Sequence, residues 1–376
     1  MSVETKRPSV VHVVRQFHPN RGGLEDVVAN LAREQIRLGG QARVVTLDRL
    51  FVKTDERLPA EDALGEIAIR RIPYRGSKRY PVAPEVFRHL GGADLVHVHA
   101  VDFFFDAIAV AKPFHRLPIV ATTHGGFFHT GDFSGLKRLW FNGPTRLTSN
   151  LYDAIAACSE SDADSFRTIA PSKVTVVENG ADLSKFARAS SSEPVRRVVT
   201  IGRFSKNKRL DRLVAVVAEL VRRDSSWRLD VVGLPSDWTE EDVRGMARAE
   251  GIEDAVAIHI GLDNSGVAAV MAQASVFASA SEFEGFGVAL IEAMSAGLAP
   301  VVQPNAAFEG LAARHADIIL ADFATPKAGA DAIESAYAKL AADRGMRDRL
   351  IREAGAYAWS AVAERYYDVY RTALGG

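Results

Sequence analysis

The chain has a single cysteine, Cys158, in 376 residues. That excludes an internal disulfide framework and a zinc site built on several thiolates, and it fits a reducing compartment. No charge sign dominates: 46 Lys and Arg stand against 47 Asp and Glu. Such a balance creates no global field for nucleic acid, so any basic function is local. No run reaches the roughly 18 consecutive apolar residues that a spanning helix needs. The opening MSVETKRPSV lacks the apolar core and small-residue cleavage site of a signal peptide. A cytoplasmic protein is expected, with any membrane contact peripheral and on the inner face of the cell membrane. Short-period repeats and low-complexity tracts are absent too.

Hydrophobic residues make up 47% and charged residues 25%, enough to build two ordinary domains with real cores. The apolar runs Ser9 to Val14 and Arg43 to Leu47 read as strands. Between them, Pro19 to Gly23 reads as a turn and Leu24 to Leu38 as an amphipathic helix. This order is a βαβ unit. It continues through strands near Ile67 to Ile72, Leu95 to His99, Ile119 to Thr123, Ala154 to Ala157 and Val174 to Val177. A second start follows the Ser/Pro-containing stretch Ala189 to Pro194, with strands at Val198 to Ile201, Leu229 to Val232, Val256 to Ile260 and Val276 to Ala278. The pattern predicts two doubly wound α/β domains with parallel sheets, facing across a cleft at their carboxyl edges. The first spans residues 1–185 and the second residues 186–356. The final segment, 357–376, spaces Trp359, Val362, Tyr366 and Tyr370 on one helical face and is expected to return to the first domain.

The most informative segment runs from Ser281 to Met294, SEFEGFGVALIEAM. Glu284 and Glu292 bracket Gly285 and Gly287 at a helix start. The glycines allow close backbone approach, and the first amides of a helix suit a diphosphate. Phe286, Gly287 and Val288 are therefore placed with the donor-binding residues. Glu292 lies about 7–8 Å along the helix axis, a distance that suits a ribose. Glu284 suits hydroxyls of a transferred sugar. The loop from Gly202 to Lys208 follows a strand, so Arg203 and Lys208 can meet negative charge on a departing nucleoside diphosphate and take the place of a divalent ion. Lys206 and Arg209 read as ordinary surface cations. His124 ends a strand and precedes Gly125-Gly126, where ligands collect. Its imidazole or its carbonyl oxygen can face a sugar. His97 and His99, two apart, share one side of a strand. A metal on them is disfavoured because no third ligand has convincing spacing; His97 reads as packed structure and His99 as cleft lining.

On these residues the chain resembles the retaining family-4 glycosyltransferases of the GT-B fold. The matching words are Gly22-Gly23-Leu24-Glu25, Asp94-Leu95-Val96-His97-Val98-His99, Thr123-His124-Gly125, Glu178-Asn179-Gly180-Ala181-Asp182, the Gly202-to-Lys208 loop and the Glu284-to-Glu292 motif. The resemblance implies that Arg203, Lys208 and Gly23 hold the donor diphosphate. It also implies that Glu284 binds sugar hydroxyls, Glu292 binds the ribose and His124 faces the reacting sugar. No metal or other cofactor is implied, and no Asp-x-Asp stands where a metal-dependent transferase would carry one. Further words in the first half, among them Val13-Val14-Arg15-Gln16-Phe17-His18-Pro19 and Thr123-His124-Gly125-Gly126-Phe127-Phe128-His129-Thr130, resemble bacterial exopolysaccharide α-mannosyltransferases of the xanthan-assembly type. That likeness implies GDP-mannose as donor and a polyprenyl-diphosphate-linked cellobiose as acceptor.

A lipid-linked acceptor requires a route to the membrane. Lys137, Arg138 and Trp140 mix cations and an aromatic, as do Arg75, Arg79 and Tyr80, and both sets suit anionic head groups or an acceptor diphosphate. The plainer alternatives are an amphipathic helix with Trp140 turned inward and an exposed loop. Phe103, Phe104 and Phe105 read as core in preference to an acceptor groove. Competing functions are a family-4 transferase using a UDP-sugar on another glycan and a non-catalytic sugar-nucleotide-binding subunit. A nicotinamide oxidoreductase and a P-loop kinase are disfavoured, since neither Gly-x-Gly-x-x-Gly nor Gly-x4-Gly-Lys-Ser/Thr occurs.

Overall fold

The structure, a computed structural model, describes residues 7–20, 22–78, 80–124 and 139–375. The chain divides into two compact units, one holding everything up to Gly180 together with Trp359 onward, the other spanning Ala181–Ala358.

The first unit carries β1 (Ser9–Val13), β2 (Gln41–Leu47), β3 (Glu61–Leu64), β4 (Ile67–Ile72), β5 (Arg75–Gly76), β6 (Pro81–Val82), β7 (Leu95–His99), β8 (Ile119–Thr122), β9 (Ala154–Ala157) and β10 (Val174–Val176). Eight of them form one sheet in the order β10-β9-β8-β7-β1-β2-β4-β3, and β5 and β6 pair as a separate short ribbon. The sheet is parallel except for β3, which closes the edge as an antiparallel hairpin partner of β4. Central strands are buried on both faces, as parallel strands covered by helices must be: β7 and β8 are buried at every residue, although one face of β7 carries His97 and His99. The chain order reverses between β1 and β7, so this is the switch point of the sheet. The helix Gly23–Arg37 leaves β1 there, its buried stripe running through Val27, Val28, Leu31 and Ala32.

The helix Trp359–Ala373 completes the first unit. Its buried face presents Trp359, Val362, Tyr366, Tyr367 and Tyr370 to Val10, Val27, Leu95, Val120 and Ala156. Gly180 lies directly under Trp359: a Cβ at 180 would stand 2.5 Å from the indole ring. Only a residue without a side chain lets the backbone pass there.

The second unit is a single parallel sheet of β11 (Arg197–Ile201), β12 (Arg228–Gly233), β13 (Val256–Ile260), β14 (Val276–Ser279), β15 (Ala299–Val302) and β16 (Ile319–Leu320), ordered β13-β12-β11-β14-β15-β16. Its switch point falls between β11 and β14, where a doubly wound sheet opens a crevice at its carboxyl edge. The Gly202-to-Lys208 loop leaves β11 at that crevice, and the Ser281-to-Gly287 segment leaves β14 beside it. Strand β12 comes in so tightly that a Cβ on Gly233 would overlap the Gly202 carbonyl oxygen, at 1.8 Å.

Candidate active site

In the second unit the two loops are tied together at the switch point. Asn207 Nδ2 donates to the Phe283 carbonyl at 2.8 Å, and the Glu282 amide donates to the Asn207 carbonyl at 3.0 Å. These bonds bring Lys208 Nζ to 2.6 Å from Glu284 Oε1. Both groups are largely shielded from solvent, so the carboxylate holds the ammonium in place. Thr200, Gly202, Arg203, Lys208, Ser279 and Ser281 line one small pocket. Arg203 is exposed and makes no ion pair among the described residues. Arg209, in contrast, is engaged by Asp211 and Glu282, both at 2.7 Å.

The helix Val288–Ala296 begins beside this pair. Its N-cap, Gly287, has φ 90°, and a Cβ there would also press the Phe308 ring at 2.9 Å, so glycine is required twice over. The Gly287 and Val288 amides find no acceptor among the described residues, as expected of the first amides of a helix. Phe286 sets its ring edge-on to Tyr357, centroids 5.7 Å apart, which fixes the loop before the helix. Glu292 is mostly buried one turn on, and burial pushes its carboxyl up to about 7 against the opposing charge of Lys185, 4.0 Å away. Lys185 was not singled out from sequence; it follows the Glu178-to-Asp182 word by three residues, and only the fold places it beside the helix. Together the second unit gathers Arg203, Lys208, Glu284, Phe286, Gly287, Val288 and Glu292 around one sheet edge.

In the first unit Gly23 opens its helix beside a pocket lined by Arg15, Gln16, Asn20, Leu24, Phe51 and Val52, and a Cβ on Gly23 would meet nothing. Four histidines gather at the switch point. His124 follows β8 with its backbone in the left-handed region at φ 53°, a conformation that a non-glycine residue adopts at a cost of about 1 kcal/mol and that collects at functional sites. Its Nε2 lies 2.9 Å from His99 Nδ1, and His99 Nε2 lies 2.9 Å from His12 Nδ1. His12 Nε2 meets Gln35 Oε1 at 2.7 Å, and Gln35 Nε2 donates to the Tyr370 hydroxyl at 2.8 Å. His97 stacks beside the row, 4.1 Å from His99 between ring centroids, with Tyr370 and Thr122 on its two nitrogens. Burial pushes His12 and His124 down to about 4 and His97 and His99 well below the usual range, so all four are neutral at neutral pH.

Two readings from sequence are corrected here. His99 does not line a cleft that could take an acceptor: it is fully buried, with both ring nitrogens engaged. The two-residue spacing gave the shared side correctly but not its surroundings: His12, His97 and His124 enclose the His99 ring, and Tyr366 and Tyr370 of the last helix pack on His97. A third histidine does stand by. His12 is the register partner of His97 across β1 and β7, and the three rings offer nitrogens within 4.8 Å of one another. The signal lay in aligning two strands far apart in sequence, not in spacing within one.

Of the acceptor-side candidates, Arg79, Lys137 and Arg138 lie outside the described residues. Arg75 is exposed on the β5–β6 ribbon. Tyr80 donates its hydroxyl to Asp106 at 2.9 Å and sets its ring edge-on to Trp140 at 6.0 Å, so the two basic-aromatic words meet. Trp140 is 42% exposed and Leu139 71%, an outward rather than inward arrangement. Phe104 and Phe105 are core.

The sequence matches the model of Glycosyltransferase Family 4 over residues 21–185 and that of Glycosyl transferases group 1 over residues 184–356. It is 42% identical over 369 residues, 97% of this chain and 93% of the relative, to a GDP-mannose:cellobiosyl-diphosphopolyprenol alpha-mannosyltransferase of Komagataeibacter xylinus. A protein of the same name from Xanthomonas oryzae is 41% identical, with 97% of each chain covered. Among solved structures, a glycosyltransferase from Rickettsia africae superposes with a TM-score of 0.72 at 16% identity, covering 97% of this chain and 98% of that one. Sucrose-phosphate synthase from Thermosynechococcus elongatus does so at 0.66 and 18%, covering 97% and 98%. The two parallel-sheet units are those of the GT-B fold. With both halves matched and the likeness running the length of the chain, this protein belongs to glycosyltransferase family 4.

Proposed function

We propose that the enzyme transfers mannose from GDP-mannose, with retention of anomeric configuration, to a polyprenyl-diphosphate-linked cellobiose in exopolysaccharide assembly. The observation that carries this reading is identity above 40% across 97% of the chain to transferases of that name. The charge layout of the second unit supports it. Arg203, Lys208 and the amides at Gly287 and Val288 are assigned the diphosphate, and Gly23 is assigned to the same group. Glu284 is assigned the hydroxyls of the transferred sugar, Glu292 the ribose and His124 the reacting sugar. The acceptor hydroxyl attacks the anomeric carbon on the face from which GDP departs, and its proton passes to the departing phosphate oxygen. Cations fixed beside that oxygen stabilise the charge that grows as the bond breaks.

Access to a lipid-linked acceptor is assigned to Arg75, Tyr80 and Trp140, and to Arg79, Lys137 and Arg138 from the same sequence words, as a peripheral contact with anionic head groups. Among the described residues no helix is long and apolar enough to cross a membrane. A panel of GDP-, UDP- and ADP-sugars, offered to the purified protein with EDTA present, tests the donor by thermal shift. GDP-mannose alone should raise the melting temperature and should then label lipid-linked cellobiose. A shift with a UDP-sugar alone would remove the mannosyl reading and leave the family intact.

The raised Glu292 carboxyl gives this donor site a pH dependence. Its folded value is about 7, so the group is largely protonated below that and a carboxylate above it. A carboxylate accepts from both ribose hydroxyls, whereas the acid does not, so GDP-mannose affinity should rise up to about tenfold between about pH 6 and about pH 8. The donor's own diphosphate does not titrate in that range. Calorimetric titration of Glu292→Gln should give weaker binding with a flat profile; a slope equal to that of the unaltered enzyme would remove the assignment.

A further inference from the structure

The row of imidazoles in the first unit has a direction. A neutral imidazole carries one N–H, so every bond between two such rings needs one donating and one accepting nitrogen. Gln35, fully buried on the helix Gly23–Arg37, turns its carbonyl oxygen to His12 and its amino group to Tyr370. His12 must then donate from Nε2, which leaves its Nδ1 to accept from His99 Nε2. His99 in turn has only Nδ1 free to accept, and the donor there is His124 Nε2. His124 is left with a bare lone pair on Nδ1. The side branch closes consistently, because Tyr370 accepts from Gln35 and donates to His97 Nδ1, and His97 Nε2–H then donates to Thr122. Turning the Gln35 amide over would reverse every proton in the row and place the N–H of His124 on Nδ1.

We infer that Gln35 is a positioning residue for sugar transfer: through His12 and His99 it fixes which nitrogen of His124 carries the proton. That choice decides whether His124 offers a sugar hydroxyl a lone pair or an N–H, and it holds the ring in one orientation as well. Burial keeps the four rings neutral, so the row does not scramble by picking up a charge. A metal on His12, His97 and His99 would use the same nitrogens, and each of them is already in a hydrogen bond no longer than 2.9 Å. The effect on turnover rests on the reading that His124 meets the transferred sugar; the proton arrangement itself does not.

Long-range proton–nitrogen spectra of protein labelled with ¹⁵N-histidine read the tautomer directly. In the unaltered enzyme His124 should show a protonated Nε2 and a bare Nδ1. Gln35→Met, close in volume but without the amide, should move both His124 nitrogens toward averaged shifts. It should also lower kcat for GDP-mannose turnover about tenfold while leaving the donor KM within about twofold. Should that variant fail to fold, Tyr370→Phe removes only the hydroxyl that orients the amide and should shift the same signals. His124 signals unchanged in a folded variant overturn the inference, as does one equivalent of a divalent ion retained on the three buried histidines, since a ligated nitrogen carries no proton. Shifted signals with unchanged kcat overturn the link to transfer. His124→Ala separates the two failures: full turnover there defeats the assignment of His124 to the sugar, whatever the spectra show of the row.

Discussion

Lys208→Ala should lower turnover by about a hundredfold or more, equivalent to about 2.7 kcal/mol of lost transition-state stabilisation, while the protein stays folded. The ammonium sits 2.6 Å from Glu284 in a largely shielded pair beside the amides of the helix Val288–Ala296. On the proposed reading it meets the departing diphosphate, where negative charge is greater in the transition state than in the bound donor. Its loss therefore falls mainly on kcat. A second cost comes from Glu284, which is left without its cation and repels the incoming diphosphate, so donor affinity drops as well. Lys208→Ala together with Glu284→Gln should recover part of the affinity but little of the rate. Steady-state kinetics with GDP-mannose, alongside circular dichroism as a check of the fold, decides the matter; turnover within a fewfold of normal would remove Lys208 from the donor site.

Ending the chain after Ala358 should unfold the first unit while leaving the second intact. The lost helix buries Trp359, Tyr366, Tyr367 and Tyr370 against β-strands and the helix Gly23–Arg37. Each aromatic of that kind is worth about 3–5 kcal/mol when truncated, so the sum passes about 10 kcal/mol, which matches the entire stability of an ordinary domain. Tyr370 and Tyr366 also supply hydroxyls to Gln35, His97 and Thr122, so polar groups beneath them would be stranded in the core. Hydrogen exchange gives the local readout: amides of β1, β7 and β8 should lose protection while those of β11, β12 and β14 keep theirs. Full protection of β7 in the shortened chain would show that the helix is an accessory.

The second unit's site was legible because it lies in continuous words. Gly202 to Lys208 and Glu284 to Glu292 each leave one strand and carry their chemistry within a few residues, so alternation and glycine placement sufficed. The first unit's site was not, because it is assembled across strands. His12 and His97 are neighbours only through the register of β1 and β7, and Gln35 joins them from a helix whose apolar stripe hid one polar member. The cover over His97 comes from a helix more than 250 residues away. Strand β3, Glu-Asp-Ala-Leu, was missed because an exposed edge strand needs no apolar face, and its charged residues read as loop. Strand β15 was not singled out, since Gly297 ends the preceding helix only two residues before the strand begins.

Because the first unit is interrupted between Gly180 and Trp359, it cannot be completed until the whole of the second has been synthesised. The second unit is continuous and can finish folding as soon as Ala358 has left the exit tunnel. The first must hold an unfinished sheet, with the faces of β1, β7 and β8 uncovered, through the synthesis of nearly half the protein. Chaperone capture should therefore concentrate on the early-made segment, and a nascent chain ended at Ala358 and followed by a linker long enough to carry Ala358 clear of the tunnel should show a mature second unit attached to an immature first one.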